Sequence, residues 1–419
     1  MPDRSVDYLL IGGGLAAANC ARWLREEGAE GSILLVGREP DPPYNRPPCS
    51  KGHLQGKESR EDVWFRPSAW WEDQDIELKT RTSVLKLDAG DRTARLSSKE
   101  EVRFDKALIA TGANVRRLAV DGSELEGIHY LRTLGNSDTI REDTEAAERV
   151  VLIGGSYIAT EVAASLALRG KRCALIMQES TTLERGFGAT AGRFFQERLE
   201  EHGVEVHGGE DLEGFRGSEG RVQEVACVSG LTLEADAVVM GVGAVPDVML
   251  ARQAGLRLGE RGGVKCSATL ESSVPGIYAA GDMCEYDSVI HGRPMRIEHW
   301  DVAFNHGKTA ALNMLGREAP HDVVPYFFSD LADWSSMEYV GPASEWDSEV
   351  VRGSLEDGAF SVWYLADGRV AGCLAVGRPD DLDHARRLLA MGVDLSGWSA
   401  HLGDIDSDLA ELGAVERPR

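Results

Sequence analysis

The feature that most constrains the fold is a strand, glycine turn and helix that occurs twice. The segment "YLLIGGGLAAANCARWL" (8–24) and the segment "VVLIGGSYIATEVAASLAL" (150–168) both place apolar residues before a glycine turn and a helical apolar period after it. Each is followed by a second buried-type strand, "SILLVG" or "RCALIM", which completes a βαβ unit of about 30 residues. Two matches in the same register predict two doubly wound α/β nucleotide-binding units in one chain.

The first turn fits the dinucleotide pattern G-x-G-x-x-G closely. Gly12 permits the tight turn, Gly14 lets the backbone approach a pyrophosphate, and Ala17 allows the helix to pack closely on the strand. The N-terminus of the following helix then offers N–H groups to the phosphates. Glu39 lies near the acidic position, about 20 residues beyond the turn, that usually binds the adenosine ribose.

The second turn departs from this pattern at two of its three glycines, because it contains Gly154, Ser156 and Ala159. Ala159 is small enough for the packing role, and Ser156 adds a hydroxyl donor. Taken alone, this turn is consistent both with a working phosphate site and with a structural relic.

Composition excludes several classes of function. The formal charge of -24 over 419 residues, with a pI near 4.9, argues against nucleic acid or an anionic membrane as the main partner. "RPPCSK" and "ANVRRL" leave room for a local basic patch. We see neither a signal-type leader nor an apolar run of about 18 residues, and therefore expect a cytoplasmic protein. The seven cysteines contain no C-x-x-C pair, so neither a metal site nor a disulfide framework is predicted.

The last hundred residues have a different pattern of apolar and polar residues. "PYFFSDLADWSSMEYVG" and "AFSVWYLADGRVAGCLAVG" are alternating or aromatic runs, which favour antiparallel strands. "RPDDLDHARRLLAMG" is typical of a helix, and the residues after about Asp408 are expected to fray.

Four further motifs carry a resemblance to a known family: "PYNRPPCSKG" (43–52), "ALIATGA" (107–113), "SVPGIYAAGDM" (273–283) and "RIEHWDVAFNHGKTAA" (296–311). With them the chain resembles the flavin-dependent pyridine-nucleotide oxidoreductases from about residue 5 to 400. It is most similar to the ferredoxin and rubredoxin reductases and the bacterial relatives of apoptosis-inducing factor. The resemblance implies an FAD domain (1–117 and 246–320), an NAD(P)H domain (118–245) and an α+β C-terminal domain (321–419).

The resemblance also implies roles for individual residues. The residues implied to bind FAD are those of the first turn, Glu39 and a set of later positions: Arg46, Lys51, Thr111, Gly112, Arg132, Gly281, Asp282 and Trp300. Within this set, Asp282 would hold the ribityl chain and Trp300 would lie by the flavin ring. NAD(P)H binding is implied for the second turn, namely Gly154, Gly155 and Ser156, and Gly243 is a further predicted cofactor-binding residue.

The central prediction is that Lys51 pairs with Glu161 beside flavin N5. A buried cation there would stabilise the anionic reduced flavin, and the carboxylate would orient it. The alternative is two unrelated surface charges. For the coenzyme, Met177 occupies the usual NAD-selecting position, and Gln178 and Glu179 follow it. Glu179 favours NADH over NADPH, although Arg172 and Arg185 stand near enough in sequence to reverse this preference.

The implied activity is electron transfer from NADH through FAD to a ferredoxin or rubredoxin that feeds an oxygenase or cytochrome. Pro48 stands where disulfide reductases of this family carry the cysteine nearer the lysine, so no dithiol relay is expected. Cys49 is adjacent and is either a packed thiol or the centre of an NADH oxidase or peroxide reductase. A third hypothesis is an NADH-sensing flavoprotein like apoptosis-inducing factor. The sequence leaves the oligomeric state open, a homodimer included.

Overall fold

A computed structural model describes residues 2–412, which divide into two compact units. The first contains the chain up to Asn45 together with Glu61–Asn114 and Ala244–Pro325. The second contains Arg46–Arg60, Val115–Gly243 and the chain from Tyr326 onward. The intervals 118–245 and 321–419 therefore fall mostly in one unit, and the assignment of three domains stays a prediction.

The helices are listed here in chain order. They are α1 (Leu15–Glu26), α2 (Ser68–Asp73), α3 (Leu134–Asp143), α4 (Tyr157–Leu168), α5 (Glu184–Glu201), α6 (Met249–Gln253), α7 (Trp300–Met314), α8 (Pro379–Met391) and α9 (Ser399–Gly403), with 3₁₀ turns at Pro47–Ser50 and Gly281–Met283. None of the helices in the described part of the chain is both long and apolar enough to cross a membrane.

The strands complete the element list. The first thirteen are β1 (Arg4–Ile11), β2 (Ile33–Val36), β3 (Ile76–Lys79), β4 (Val84–Asp88), β5 (Thr93–Leu96), β6 (Glu101–Ile109), β7 (Ala113–Val115), β8 (Ile128–Tyr130), β9 (Arg149–Ile153), β10 (Arg172–Met177), β11 (Glu205–Gly208), β12 (Leu212–Ser218) and β13 (Arg221–Cys227). The others are β14 (Thr232–Glu234), β15 (Ala237–Met240), β16 (Ala244–Pro246), β17 (Val264–Cys266), β18 (Ile277–Ala279), β19 (Cys284–Ser288), β20 (Arg293–Met295), β21 (Tyr326–Leu331), β22 (Ser335–Val340), β23 (Ser348–Ser354), β24 (Ala359–Ala366) and β25 (Arg369–Val376).

The first unit is built on a seven-stranded sheet in the order β3-β2-β1-β6-β5-β4, with β18 also paired to β6. Strands β3, β2, β1, β6 and β18 run parallel, as the βαβ pattern predicts. All four residues of β2 are buried, which is typical of a parallel strand covered on both faces. Helix α1 packs on α7 through Gly307, where a Cβ would lie 2.5 Å from the backbone oxygen of Ala16. A smaller three-stranded sheet, β17-β19-β20, accompanies it.

The second unit repeats the parallel architecture with five strands in the order β11-β10-β9-β15-β8. Helix α4 connects β9 to β10, and α5 connects β10 to β11. Strands β12, β13 and β14 form a separate antiparallel sheet. The predicted α/β fold with two nucleotide-binding units is thus confirmed.

The C-terminal segment forms an antiparallel sheet, β21-β22-β25-β24-β23, followed by α8. The predicted strands and helix are confirmed. The expectation of fraying after Asp408 is wrong as far as residue 412, because Leu409 and Leu412 are buried and their carbonyls accept hydrogen bonds from Arg387. The remainder of that expectation, residues 413–419, lies outside the described residues.

Candidate functional site

The first glycine turn has the geometry of a dinucleotide cradle. Gly12 has a φ of +120°, and a Cβ there would lie 2.2 Å from the backbone oxygen of Ala110, so both conformation and space require glycine. Gly14 is the N-cap of α1, and a Cβ there would meet no atom within 4 Å. Ala17 is fully buried beneath the turn. The open space beside Gly14 and the helix N-terminus together fit a pyrophosphate.

The carboxylate expected at the ribose follows β2 directly. Glu39 accepts a hydrogen bond from the hydroxyl of Tyr44 at 2.5 Å, which fixes the side chain. Its neighbour Arg38 contacts Asp247 at 3.2 Å and Asn114 at 2.9 Å. Two acceptor oxygens on a tethered carboxylate suit a ribose diol.

Thr111 and Gly112 lie together at the end of β6. The Thr111 hydroxyl donates to the backbone oxygen of Asp247 at 2.6 Å, and the Asp247 N–H donates to the Gly112 oxygen at 2.8 Å. Gly112 has a φ of +71°. The chain around Asp247 therefore holds this turn closed.

Gly281 and Asp282 form a short 3₁₀ turn held by a histidine that the sequence analysis did not predict. Gly281 has a φ of +74°, and its N–H donates to Nδ1 of His306 at 3.2 Å. His306 is fully buried, and burial lowers the pKa of its imidazole well below the ordinary value because a cation is disfavoured there. The ring is thus neutral and accepts at Nδ1. The partly buried Asp282 lies within this turn, next to Gly281.

Trp300 begins α7 in the first unit. Its indole Nε1 donates to Oδ1 of Asn45 at 3.1 Å, and its ring stacks on Phe304 with a centroid distance of 5.3 Å. The indole is therefore fixed on both its edge and its face. Its predicted position beside a flavin stays a prediction.

The second glycine turn closes in the same way as the first despite its altered sequence. Gly154 has a φ of +113°, and a Cβ there would lie 2.4 Å from the backbone oxygen of Gly241. Ser156 is the N-cap of α4, and its hydroxyl donates to that same Gly241 oxygen at 2.9 Å. Ala159 is buried against Gly241 and takes the packing role predicted for it. The serine hydroxyl thus ties the turn to β15, while the helix N-terminus keeps its backbone donors.

The structure brings together Lys51 and Glu161, which are 110 positions apart in the sequence. Nζ of Lys51 lies 3.2 Å from Oε1 of Glu161, and both side chains are largely buried. The same Nζ lies 3.3 Å from Oδ2 of Asp330 and 4.5 Å from the ring centroid of Phe328. One ammonium group therefore faces two carboxylates and an aromatic ring, and Asp330 is the more exposed of the two carboxylates.

Two hydroxyl groups complete the surroundings of the Glu161 carboxylate. Ser50 donates to Oε2 at 2.5 Å, and Ser329 donates to Oε1 at 2.6 Å. Burial raises the pKa of Glu161, while Lys51 and the two hydroxyls act in the opposite direction. Lys51 and the two hydroxyls therefore offset only part of the effect of burial, and protonation of Glu161 is easier here than in water.

The other predicted positions lie around the Lys51 segment and the second turn. Arg46 donates to the backbone oxygen of Arg132 at 2.5 Å, so these two predicted residues are in contact. The side chain of Cys49 is buried, and its carbonyl accepts from Ser137 at 2.8 Å. Gly243, with a φ of +98°, follows β15. These positions agree with a packed thiol beside a structured loop.

The segment expected to select the coenzyme is the one that follows β10 and contains Glu179, and it is called the coenzyme corner below. Glu179 forms an ion pair with Arg185, whereas Arg172 pairs with Glu148 at the opposite end of the strand. A Cβ on Gly155 would lie 3.4 Å from Oε2 of Glu179, so this carboxylate reaches the glycine turn.

Sequence reasoning missed several residues that contact and support the predicted site residues. These are Tyr44, Ser50, His306, Phe328, Ser329 and Asp330. Within residues 2–412 no cluster of His, Cys, Asp and Glu suited to a metal ion is present.

Two parallel units that each carry a dinucleotide-type turn, with a buried lysine and glutamate pair, define a two-nucleotide oxidoreductase. The chain belongs to the pyridine nucleotide-disulphide oxidoreductase family, whose model matches residues 6–307, and residues 326–413 match the family described as reductase C-terminal. The predicted family is thereby confirmed.

Similar proteins fall in the predicted branch. The chain is 33% identical to the ferredoxin reductase subunit of 5,5'-dehydrodivanillate O-demethylase from Sphingobium sp., covering 98% of this chain and 99% of that one. It is 32% identical to putidaredoxin reductase CamA from Pseudomonas putida, over 91% of each. A solved covalent complex of putidaredoxin reductase with putidaredoxin contains a chain that superposes with a TM-score of 0.90 at 31% identity, covering 99% of both.

Proposed function

We propose that this protein is an FAD-dependent reductase that passes electrons from NADH to a small iron–sulfur protein. The observation that carries the proposal is the buried ion pair of Lys51 and Glu161 in a chain with two dinucleotide-type turns. A cysteine pair before Lys51 is absent from the sequence, since Pro48 stands there. The two turns and the ion pair therefore fit a protein in which a bound flavin accepts hydride and no dithiol relay follows.

The first unit would hold FAD, which when bound supplies a two-electron acceptor that can release its electrons singly. Gly12 and Gly14 leave room for the pyrophosphate, and Glu39 offers acceptors to the adenosine ribose. The turn at Gly281 and Asp282 and the fixed indole of Trp300 are proposed for the ribityl chain and the ring.

Lys51 supplies positive charge, and Glu161 orients its ammonium group. Because Ser50 and Ser329 anchor the carboxylate, the cation is held in one place before any negative charge develops nearby. The bond to Asp330 is more exposed and is the weaker of the two attachments. These contacts make Lys51 a preorganised electrostatic stabiliser.

NADH is proposed as the donor. Gly154, Gly155 and Ser156 would bind its pyrophosphate at the start of α4, and Gly243, which follows β15, is proposed as a further cofactor-binding residue. Glu179 would accept from the adenosine ribose. The acidic side chains around this corner disfavour the additional phosphate of NADPH.

The proposed acceptor is a ferredoxin or rubredoxin that serves an oxygenase or cytochrome. Its support is that the relatives named above are reductases of ferredoxin and putidaredoxin. With a formal charge of -24, the chain must present a local basic surface if this partner is acidic. We further propose a cytoplasmic setting, in line with seven buried cysteines, and three domains with the boundaries given above. A homodimer stays a prediction.

Anaerobic stopped-flow mixing of the purified holoprotein with NADH and with NADPH tests the proposal. We expect NADH to bleach the flavin faster, and subsequent ferredoxin or rubredoxin to reoxidise it faster than quinone or oxygen. Persistent reduced flavin with every acceptor would support the NADH-sensing alternative instead. Absence of bound flavin would contradict the proposal at its first step.

Variants test the lysine and glutamate roles in the same assay. Lys51→Met and Glu161→Gln should both change the rate of flavin reduction or the flavin midpoint potential. Lys57→Met is the matched control, because Lys57 is an exposed lysine six residues further along the same segment. If the first two variants behave like the control, the site is misassigned.

A further inference from the structure

The two oxygens of the Glu179 carboxylate have different surroundings. Oε1 is bound by Nε of Arg185. Oε2 lies over the glycine turn, 3.4 Å from where a Cβ on Gly155 would be. The carboxylate is mostly buried, whereas the Arg185 side chain is 74% exposed. One oxygen is therefore tied to an arginine and the other is aimed at the turn.

Arg185 is itself held from a second direction. It is the second residue of α5, and a terminal nitrogen donates to Oε1 of Gln178 at 3.3 Å. Gln178 in turn donates to Oδ1 of Asp211 at 2.5 Å. The guanidinium thus bridges two consecutive residues after β10, which fixes its plane and the Glu179 carboxylate with it.

The charge around this corner is strongly negative. The Glu184 carboxylate accepts hydrogen bonds from the N–H groups of Ser180 and Thr181. Glu210 follows β11, and its N–H donates to the Met177 carbonyl. With Glu179 and Asp211 this makes four acidic residues at the end of β10 and the start of α5, alongside the cation of Arg185. A ligand phosphate carrying nearly two negative charges would meet net repulsion there.

Arg172 does not alter this balance. It begins β10 and pairs with Glu148 at 3.4 Å. Five residue steps of about 3.3 Å separate it from the end of the strand, which places it roughly 16 Å away.

We infer that Arg185 is a positioning residue that strengthens selection of NADH. By holding Oε1, it directs Oε2 of Glu179 toward the ribose diol of the coenzyme, and it does not serve as a ligand for the 2′-phosphate of NADPH. The inference rests on the proposed function, in which the second turn binds the coenzyme.

The two roles of Arg185 predict opposite results in a binding experiment. The probes are ADP-ribose and its 2′-phosphorylated form, which contain the adenosine half of each coenzyme without the nicotinamide ring. Calorimetric titration of the oxidised holoprotein gives both dissociation constants without turnover. Flavin content and circular dichroism confirm that each variant is folded.

We expect the wild type to bind ADP-ribose at least about tenfold more tightly than the phosphorylated probe, because of like-charge repulsion. Arg185→Ala should weaken binding of ADP-ribose by about fivefold, as expected for loss of one partly exposed ion pair, and weaken binding of the phosphorylated probe by a smaller factor, so that the discrimination between the two probes narrows. Glu179→Gln should reduce the discrimination to about threefold, because it removes one of the repelling charges. Arg172→Ala is the matched arginine control and should leave both constants unchanged.

Arg185→Lys keeps the charge but loses the fork that reaches both Glu179 and Gln178. A positioning role predicts that this variant resembles Arg185→Ala with ADP-ribose. Equal binding of both probes by the wild type, or selective loss of the phosphorylated probe in Arg185→Ala, would overturn the inference while leaving the coenzyme site in place. Failure of the wild type to bind either probe would contradict the proposed function itself.

Discussion

Replacing Lys51 with methionine removes the cation that the buried Glu161 carboxylate contacts. Glu161 keeps the hydroxyls of Ser50 and Ser329, but among residues 2–412 it forms an ion pair with Lys51 alone. Lys51, in contrast, has two carboxylate partners, since Asp330 also contacts it. The two members of the pair are therefore unequal, and removing the lysine should cost more than removing the glutamate charge.

The magnitude follows from burial. The Glu161 side chain is 4% exposed, and orphaning a buried charge costs about 3 to 5 kcal/mol. Two hydroxyl donors reduce this toward the lower end, so we expect Lys51→Met to lose about 3 kcal/mol of local stability at pH 8. Glu161→Gln leaves Lys51 paired with Asp330 and should lose about 1 kcal/mol.

Hydrogen exchange of the α4 backbone amides is the suitable assay, because Glu161 lies within α4 and exchange reports local opening in a protein of two units. A loss of about 3 kcal/mol corresponds to a fall in α4 protection of about 160-fold. For Glu161→Gln the fall should be about fivefold. Rates are corrected for intrinsic exchange at each pH.

The loss in Lys51→Met should also depend on pH. Burial raises the folded-state pKa of Glu161 above its ordinary value of 4.5, and removal of Lys51 raises it further. The stability associated with the protonated form is therefore complete below the unfolded value and is lost as the pH rises through the folded value. Protection of α4 in Lys51→Met should thus recover as the pH falls from 8 toward the ordinary value of 4.5.

The double variant Lys51→Met/Glu161→Gln provides the decisive comparison. Because the double variant has no buried carboxylate at position 161 that lacks a cation, it should regain most of the protection lost in Lys51→Met. A double variant no better protected than Lys51→Met, or a loss in Lys51→Met that does not shrink as the pH falls to 4.5, would refute this reasoning.

Three further predictions concern the first unit and Cys49. Gly12→Ala should misfold the first turn, because its Cβ would lie 2.2 Å from a backbone oxygen. Gly14→Ala should fold normally but lose FAD, because its Cβ would enter the open space beside α1. The flavin-to-protein absorbance ratio and circular dichroism distinguish the two variants. Cys49→Ser should leave NADH-dependent reduction of an iron–sulfur acceptor unchanged because the thiol is buried, and a loss of turnover would favour the oxidase hypothesis. Because burial lowers the pKa of His306, the stability from its bond to Gly281 is complete above the ordinary value of 6.5 and is lost as the pH falls toward the lowered value. Released flavin fluorescence should therefore rise on acidification, and His306→Gln, which keeps an acceptor for this N–H, should flatten the pH dependence.

The glycine turns could be predicted from the sequence because their determinants are local. A strand, a glycine with positive φ and an N-capped helix follow one another within about ten residues, so periodicity alone locates them. Even the altered second turn keeps its small residue at Ala159, and the structure shows the close contact with Gly241 that requires it.

The support of the ion pair could not be predicted in this way because it is tertiary. Ser329 and Asp330 reach Lys51 and Glu161 from a strand more than 160 positions later than Glu161. The single local signal is Ser329 itself, which occupies a buried position between Phe327 and Leu331 in an alternating strand. A buried hydroxyl at such a position indicates a polar partner, but it does not indicate which one.

Strand β21 has a consequence for how such chains can recombine. It lies in the segment that matches the reductase C-terminal family, whereas Lys51 and Glu161 lie in the segment that matches the oxidoreductase family. Exchange of the C-terminal segment between relatives would therefore preserve this buried charge only if the incoming strand carried a hydroxyl at 329 and an acid at 330. Across homologues, residues 50, 51, 161, 329 and 330 should accordingly change as a set, because one cluster of charged and hydroxyl groups draws on both matched segments.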